Sequence, residues 1–413
     1  MTSSDLSAEQ AAQRLGVSLP TLYAYVSRGL IRSSPGESET RRRRRYRLED
    51  IEALLGRKKE RGGAEKALAG ALSWGEPLCE SSLTLIHDGH LYYRGRDACA
   101  LARGTSLEEV IELLWGEYVA ETPTLRGPWL MTLEGLPPVE AFRLALPWLA
   151  HSDERCFDLR PKGIRASGAR ILSSLVTLAG GRGDSPSLAE RLAAGWAPGK
   201  RALLEAALVL CADHELNVSA FTARCVASAG ATPYDIVSAG LGALSGHRHG
   251  GHCAKVEALL AEACRESPRD ALRRRMREGM EVPGFAHVLY PAGDPRGRCL
   301  LEMIGELPPV ARGLVEEARD LLDVHPNIDF GLAALCHALA LPDGSALALF
   351  ALGRTVGWIA HALEQVATGQ LIRPRARYVG RLPEPTLERC SPWRGETGEP
   401  NREGDKRGED DPG

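Results

Sequence analysis

Apolar residues recur with helical spacing along most of this 413-residue chain. Near its start Ala8, Ala11, Ala12 and Leu15 follow the i, i+3, i+4, i+7 rule, Gly16-Val17-Ser18 interrupts them, and Leu19, Leu22, Tyr23 and Val26 resume it. The pattern predicts two short helices around a tight turn, with Ser18 as N-cap of the second, Pro20 in its first turn and Gly29 at its end. A basic, hairpin-like stretch follows at 41–47, and Leu48, Ile51, Leu54 and Leu55 mark a third helix. Residues 58–63 are charged, end in paired glycines and carry no apolar period, so they read as a linker.

Beyond the linker, apolar segments at 83–86 and 91–93 flank Asp88-Gly89, a hairpin turn signal and nearly the only strand signal in the chain. The remainder reads as helix. Segments 107–114, 202–212 and 346–367 are rich in Ala, Leu and Val, and several lack a polar face, as helices inside a large bundle should. The expected architecture is all-α, with a small module at 1–62, a large helical domain at 64–390 and a disordered tail at 391–413.

Charge separates the two parts. Residues 1–62 hold 13 Lys or Arg against 8 Asp or Glu, a surplus of +5, so the remainder carries −8 of the overall −3. Such a surplus suits a nucleic-acid contact, and it also suits a solvated face. The 10 cysteines stand singly, without a Cys-x-x-Cys pair. With no signal peptide read at the N-terminus and no apolar run of the roughly 18 residues needed to cross a bilayer, a cytoplasmic protein with reduced thiols and no membrane partner is expected.

In the basic module the second helix would enter the major groove and present Thr21, Tyr25 and Arg28, while Arg41, Arg42, Arg43, Arg44 and Arg45 clamp the flanking backbone. This stretch, with Thr21-Leu22-Tyr23-Ala24-Tyr25 and Gly29-Leu30-Ile31-Arg32, resembles the DNA-binding domain of MerR-type regulators, which implies DNA as a partner. The same residues also suit a small protein-interaction module.

Four polar clusters interrupt the apolar helices: Asp213-His214-Glu215, His247-Arg248-His249-Gly250-Gly251-His252, His287 with Arg296, and Asn327-Ile328-Asp329. Each contains a group able to move a proton, and Arg354, Arg373 and Arg375 add fixed cations suited to carboxylates. Taken singly, each cluster reads equally as a hydrogen-bonded core histidine or a helix N-cap. The histidine triplet lacks the framework of a metal site, and no metal is expected.

Order and wording change the weight of these clusters. Ala212-Asp213-His214-Glu215-Leu216-Asn217, 246–251, Gly284-Phe285-Ala286-His287, Gly293-Asp294-Pro295-Arg296, Pro326-Asn327-Ile328-Asp329-Phe330, Arg354-Thr355-Val356-Gly357-Trp358-Ile359-Ala360-His361 and Ile372-Arg373-Pro374-Arg375 follow one another as in the citrate synthase family. The chain resembles that family from about Ser82 to Gly380. The resemblance implies condensation of acetyl-CoA, a substrate rather than a cofactor, with oxaloacetate. It assigns Asp329 as the base, His249 as hydrogen-bond donor to the enolate oxygen and His287 as the group answering the ketone oxygen. It further implies that His214, Arg296 and Arg354 hold oxaloacetate, that Arg373 comes from the neighbouring subunit of a homodimer, and that a small domain at about 257–349 closes over the cleft.

His247 stands where the family commonly has proline, in Gly246-His247-Arg248-His249-Gly250-Gly251, and two further departures stand out: Ala286 occupies a usual glycine and Val288 a frequent arginine. The alternatives left open are a 2-methylcitrate synthase, since one methylene changes binding by only about 1–3 kcal/mol, and a DNA-binding regulator that uses a synthase-like domain as a metabolite sensor.

Overall fold

The computed structural model describes residues 6–15, 17–35, 44–52, 54, 79–121 and 125–381. Arg41, Arg42, Arg43, the linker 58–63 and the tail 391–413 lie outside the described residues.

The N-terminal module has α1 (Ala8–Leu15), α2 (Leu19–Ser27), β1 (Ser33–Pro35) paired antiparallel with β2 (Arg44–Tyr46), and a helix α3 at 48–52. Ala11, Ala12, Leu15, Leu22, Ile31, Tyr46 and Ile51 form its core. Ser18 holds the N-cap position, but its hydroxyl meets that of Thr21 at 2.9 Å instead of capping backbone. The expected inward stripe of α2 needs correction. Leu22 is buried, whereas Leu19 is 37% and Tyr23 51% exposed, and Tyr25, expected on the outer face, packs against the core beside Val26. Leu19, Leu22, Tyr23, Ala24, Tyr25 and Val26 crowd α2 with so many apolar side chains that two overlapping stripes satisfy the helical period.

In the larger region β3 (Thr84–His87), β4 (His90–Tyr93) and β5 (Arg96–Asp97) form an antiparallel sheet. Asp88 and Gly89 close the first hairpin with φ of 48° and 74°, the positive pair that a two-residue type I′ turn requires.

The helices follow as α4 (Ala98–Gly104), α5 (Leu107–Trp115), α6 (Pro138–His151), α7 (Pro161–Leu178), α8 (Leu188–Trp196), α9 (Arg201–Cys211), α10 (Val218–Ser228), α11 (Pro233–Leu244), α12 (His252–Arg265), α13 (Pro268–Arg277), α14 (Pro295–Ile304), α15 (Pro309–Leu322), α16 (Ile328–Ala338) and α17 (Ser345–Thr368). α17 packs against α5, α7, α9, α10, α11 and α16, so it is apolar on nearly every side. It is also a correction: its 24 residues include a window of mean hydropathy 1.4, long and apolar enough to cross a membrane by length and composition alone. That window is 89% buried inside the protein, and Arg354 lies within the helix, so α17 is a core helix.

A second, smaller core unites α12, α13, α15 and α16 through Val256, Leu260, Leu272, Leu314 and Phe330. It lies chiefly within the stretch 257–349 expected to form a small domain, whereas Ala346, Leu349 and the rest of α17 belong to the main core.

Candidate active site

The site gathers where backbone approaches backbone. Gly353 and Gly357 let α17 close on the end of α9: a Cβ on Gly353 would stand 2.5 Å from Leu208 O, and one on Gly357 2.3 Å from Ala212 O. This contact carries Arg354 to the turn that holds Asp213, His214 and Glu215. Arg354 Nε donates to Cys211 O at 2.9 Å, and the guanidinium lies over the Phe350 ring at 4.9 Å. Among the described residues its Nη1 and Nη2 are buried without a hydrogen-bond partner. Burial holds its pKa below the ordinary arginine value. Asp213 attracts the charge from nearby, and two buried donors left open beside it suit a carboxylate ligand.

Arg296 stands at the start of α14, 2% exposed, with Nε donating to Asp294 Oδ1 at 3.0 Å and Nη2 to Oδ2 at 2.8 Å. Burial alone would lower its pKa, but Asp294 outweighs that and leaves it raised. Asp294 also caps α14 through Arg296 N–H and accepts Ile328 N–H at 3.1 Å, which ties the start of α14 to the start of α16. Gly297 makes room for that junction, because a Cβ there would meet Asn327 O at 2.4 Å.

Three histidines share this region. His214 is 7% exposed, its Nε2 lies 3.0 Å from the Tyr290 hydroxyl, and its ring meets His287 edge-on at 5.2 Å. His287 sits on a loop pinned by Ala286 N–H to His325 O at 2.8 Å and Asn327 N–H to Gly284 O at 2.9 Å. Leu289 N–H donates to His287 Nδ1 at 3.1 Å, so a neutral ring carries its hydrogen on Nε2. His249 lies in the loop between α11 and α12, where Gly250 and Gly251 pass too close to Leu244 and Gly246 to carry side chains. Its Nε2 meets Ser219 Oγ at 2.9 Å. The Ser219 hydroxyl donates to Asn217 Oδ1 at 2.8 Å, and the same oxygen accepts the Ser219 and Ala220 N–H groups in capping α10, so Ser219 ties the His249 ring to the start of that helix.

Burial, reinforced by Arg296 and Arg354, keeps His214 well below its usual pKa and brings His249 to about 3. Burial followed by Arg296 brings His287 to about 4. All three are neutral near pH 7, in a field set by two arginines.

Asp329 lies in the first turn of α16, behind its N-cap Asn327, and burial raises its carboxyl pKa. A desolvated carboxylate is a stronger base than an exposed one. His214, Arg296, Arg354, His287, His249 and Asp329, singled out in the sequence motifs, are all buried or half-buried. Sequence reasoning gave no role to Tyr290, Asp294, Ser219, Asn217 or Phe350, which orient them. The Asp294-Pro295 start signal of α14 was the one available clue. Arg373 is exposed in the segment after α17.

Two of the departures have structural consequences. Ala286 adopts φ 60°, the left-handed region that glycine occupies without strain, and Val288 is 66% exposed. Among the described residues no group of three or more His, Cys, Asp or Glu could hold a metal ion.

In the N-terminal module Thr21 and Tyr25 are half-buried, whereas Tyr23, Arg28, Arg44 and Arg45 face solvent. The outward aromatic of α2 is thus Tyr23.

Comparison with known proteins agrees with this geometry. A family model described as citrate synthase, C-terminal domain, matches residues 71–375, and one described as a helix-turn-helix domain matches residues 6–59. A citrate synthase of Haloferax volcanii is 30% identical over 77% of this chain and 96% of its own length. Citrate synthase 2 of Bacillus subtilis is 29% identical over 73% of this chain and 93% of its own, and 2-methylcitrate synthase 2 of Corynebacterium glutamicum 28% over 70% and 88%. The crystal structure of citrate synthase from Thermotoga maritima superposes with a TM-score of 0.64 at 26% identity, covering 76% of this chain and 96% of that one. The buried arginine and histidine cluster thus sits in a fold and a sequence that agree, and the chain belongs to the citrate synthase family, an acyltransferase preceded by a helix-turn-helix domain.

Proposed function

We propose that this protein is a citrate synthase that condenses acetyl-CoA with oxaloacetate and hydrolyses the citryl thioester to citrate and CoA. The observation that carries the reading is Arg354, whose Nη1 and Nη2 are buried without a hydrogen-bond partner among the described residues, over the Phe350 ring and near enough to His214 to lower its pKa. One carboxylate of oxaloacetate fills that vacancy, and Arg296 with His214 receives the rest of the dianion. A solved structure from Thermoplasma acidophilum, described as a ternary complex of carboxymethyl coenzyme A and oxaloacetate with citrate synthase, shares the fold with a TM-score of 0.62 at 21% identity.

Asp329 takes a proton from the thioester methyl group while a ring N–H of His249 donates to the developing enolate oxygen. The enol carbon attacks the ketone of oxaloacetate, and His287 Nε2–H answers the charge that forms on its oxygen. Water then cleaves citryl-CoA, releasing citrate and the free CoA thiol. The working unit is proposed as a homodimer in which Arg373 serves the neighbouring site, and exposed Leu144, Trp148, Phe157 and Val218 supply apolar surface for association. Hybrids carrying Arg354→Ala on one chain and Arg373→Ala on the other should regain activity that neither homodimer has.

Thiol release from acetyl-CoA and propionyl-CoA, each with oxaloacetate, tests the reading. Acetyl-CoA should be preferred; preference for propionyl-CoA would make the enzyme a 2-methylcitrate synthase, and no thiol from either would overturn a synthase role and leave the sensor reading. For the N-terminal module, exposed Tyr23, Arg28, Arg44 and Arg45 support DNA binding. Gel-shift titrations should show affinity falling steeply with salt, and less steeply once Arg44 and Arg45 are neutralised; no shift at low salt would reject it.

A further inference from the structure

The carboxylate of Asp329 has a neighbour that the reaction as described does not use. Cys253, in the first turn of α12, is fully buried and donates its thiol hydrogen to Asp329 Oδ1 across 3.0 Å. Local folding sets this contact. Gly250 and Gly251 compress the loop, Cys253 N–H donates to Gly250 O at 3.0 Å, and α12 packs directly on α16. On the other side, Asp329 N–H donates to Asn327 Oδ1 at 3.0 Å and fixes the backbone of the same residue. Oδ2 is left without a hydrogen-bond partner among the described residues.

We infer that Cys253 is a positioning residue for the base: its thiol holds Asp329 by Oδ1, leaves Oδ2 to take the substrate proton, and favours the ionised carboxylate. This role rests on the reading of Asp329 as the base. The groups facing Asp329 are Cys253 and His252 on α12, Asp294 and Arg296 at the start of α14, and Cys211 at the end of α9. Burial pushes the carboxyl pKa up, and the Cys253 hydrogen bond is the largest influence drawing it back, ahead of His252 and Arg296, while Asp294 adds to the rise. Burial first, and Asp329 beside it, hold the Cys253 thiol well above its ordinary pKa, so it remains an S–H donor. A donor to a carboxylate stabilises the anion, and its removal makes the acid harder to ionise.

The test compares wild type with Cys253→Ala and Cys253→Ser across pH. In Cys253→Ala the acid limb of kcat should move up by about one pH unit, a tenfold loss on that limb at fixed pH, with the KM for oxaloacetate unchanged. Cys253→Ser keeps a hydroxyl donor and should bring the limb back. An acid limb in Cys253→Ala that coincides with wild type, or a loss equal at every pH and not rescued by serine, overturns the proposal. A second reading does not depend on turnover: the S–H infrared band assigned by subtracting the Cys253→Ala spectrum should lie at the hydrogen-bonded end of the thiol region and shift on Asp329→Asn. A band that ignores Asp329→Asn overturns the contact itself. A band that responds while wild type releases no CoA from either thioester overturns the catalytic reading of Asp329 and leaves the contact standing.

Discussion

Replacing Arg354 with methionine should make the ligand-free protein more stable and the enzyme nearly inactive. The wild-type side chain keeps Nη1 and Nη2 buried without partners, and each buried unsatisfied group costs about 1–3 kcal/mol. Against that stand its Nε bond to Cys211 O, about 1 kcal/mol, its attraction to the buried Asp213 carboxylate, and its contact with the Phe350 ring, which a methionine sulfur largely replaces at about 0.3–1.5 kcal/mol. Methionine fills similar volume without a charge, so the variant should gain roughly 1–3 kcal/mol. Oxaloacetate reverses the sign. Losing a desolvated carboxylate contact costs about 3–4 kcal/mol, which is about 10²–10³ in affinity. Urea unfolding with and without oxaloacetate measures both effects: wild type should be stabilised by the ligand, and Arg354→Met should start higher and respond little. A ligand-free variant less stable than wild type, with its oxaloacetate response intact, would show that the guanidinium is already satisfied in the free enzyme and is not the vacant carboxylate site.

Asp329→Asn should lower kcat by about 10²–10⁴ while calorimetry shows oxaloacetate binding nearly unchanged, because the base acts on the other substrate. His287, at about 4, and His249, at about 3, lie below the ordinary histidine value near 6.5, so the folded state stays neutral where the unfolded chain takes up protons. Their contribution to stability is therefore present above about pH 6.5 and is lost as pH falls through about 4 for His287 and about 3 for His249, which acid unfolding followed by circular dichroism will show as a steepening slope. Ala286→Gly relieves the φ of 60° and should raise stability by about 1 kcal/mol in urea titration, with thioester chemistry retained.

The helical architecture was legible because burial leaves a periodic trace, and Asp88-Gly89 was legible because few dipeptides satisfy two positive φ angles. Helix rotation was less so. On α2 nearly every turn position is apolar, so periodicity alone put Tyr23 inside and Tyr25 outside, and only the packing of β2 and α3 distinguishes them. Charge pattern also failed to warn that α17 passes a membrane criterion, since one arginine in a long apolar helix scarcely lowers its hydropathy. Within the site the proton-handling groups stood in recognisable strings. Their orienting partners did not, because Ser219 and Tyr290 reach His249 and His214 from 30 and 76 residues away, and nothing local marks such a pairing.

The glycines in these strings explain why motif and geometry coincide here. Gly250, Gly251, Gly297, Gly353 and Gly357 each stand where a Cβ would meet another part of the chain at 2.9 Å or less. Each neighbours a functional side chain or its loop: His249, Arg296 or Arg354. A charged group can be brought into a desolvated cleft only if the backbone that carries it approaches the opposing backbone, and glycine permits that approach. The chemistry and the packing are therefore written in the same few residues. Ala286 is the exception: here the positive φ has been kept and the glycine has not, so the His287 loop retains its shape through the hydrogen bonds from Ala286 N–H to His325 O and from Asn327 N–H to Gly284 O, and holds the strain locally.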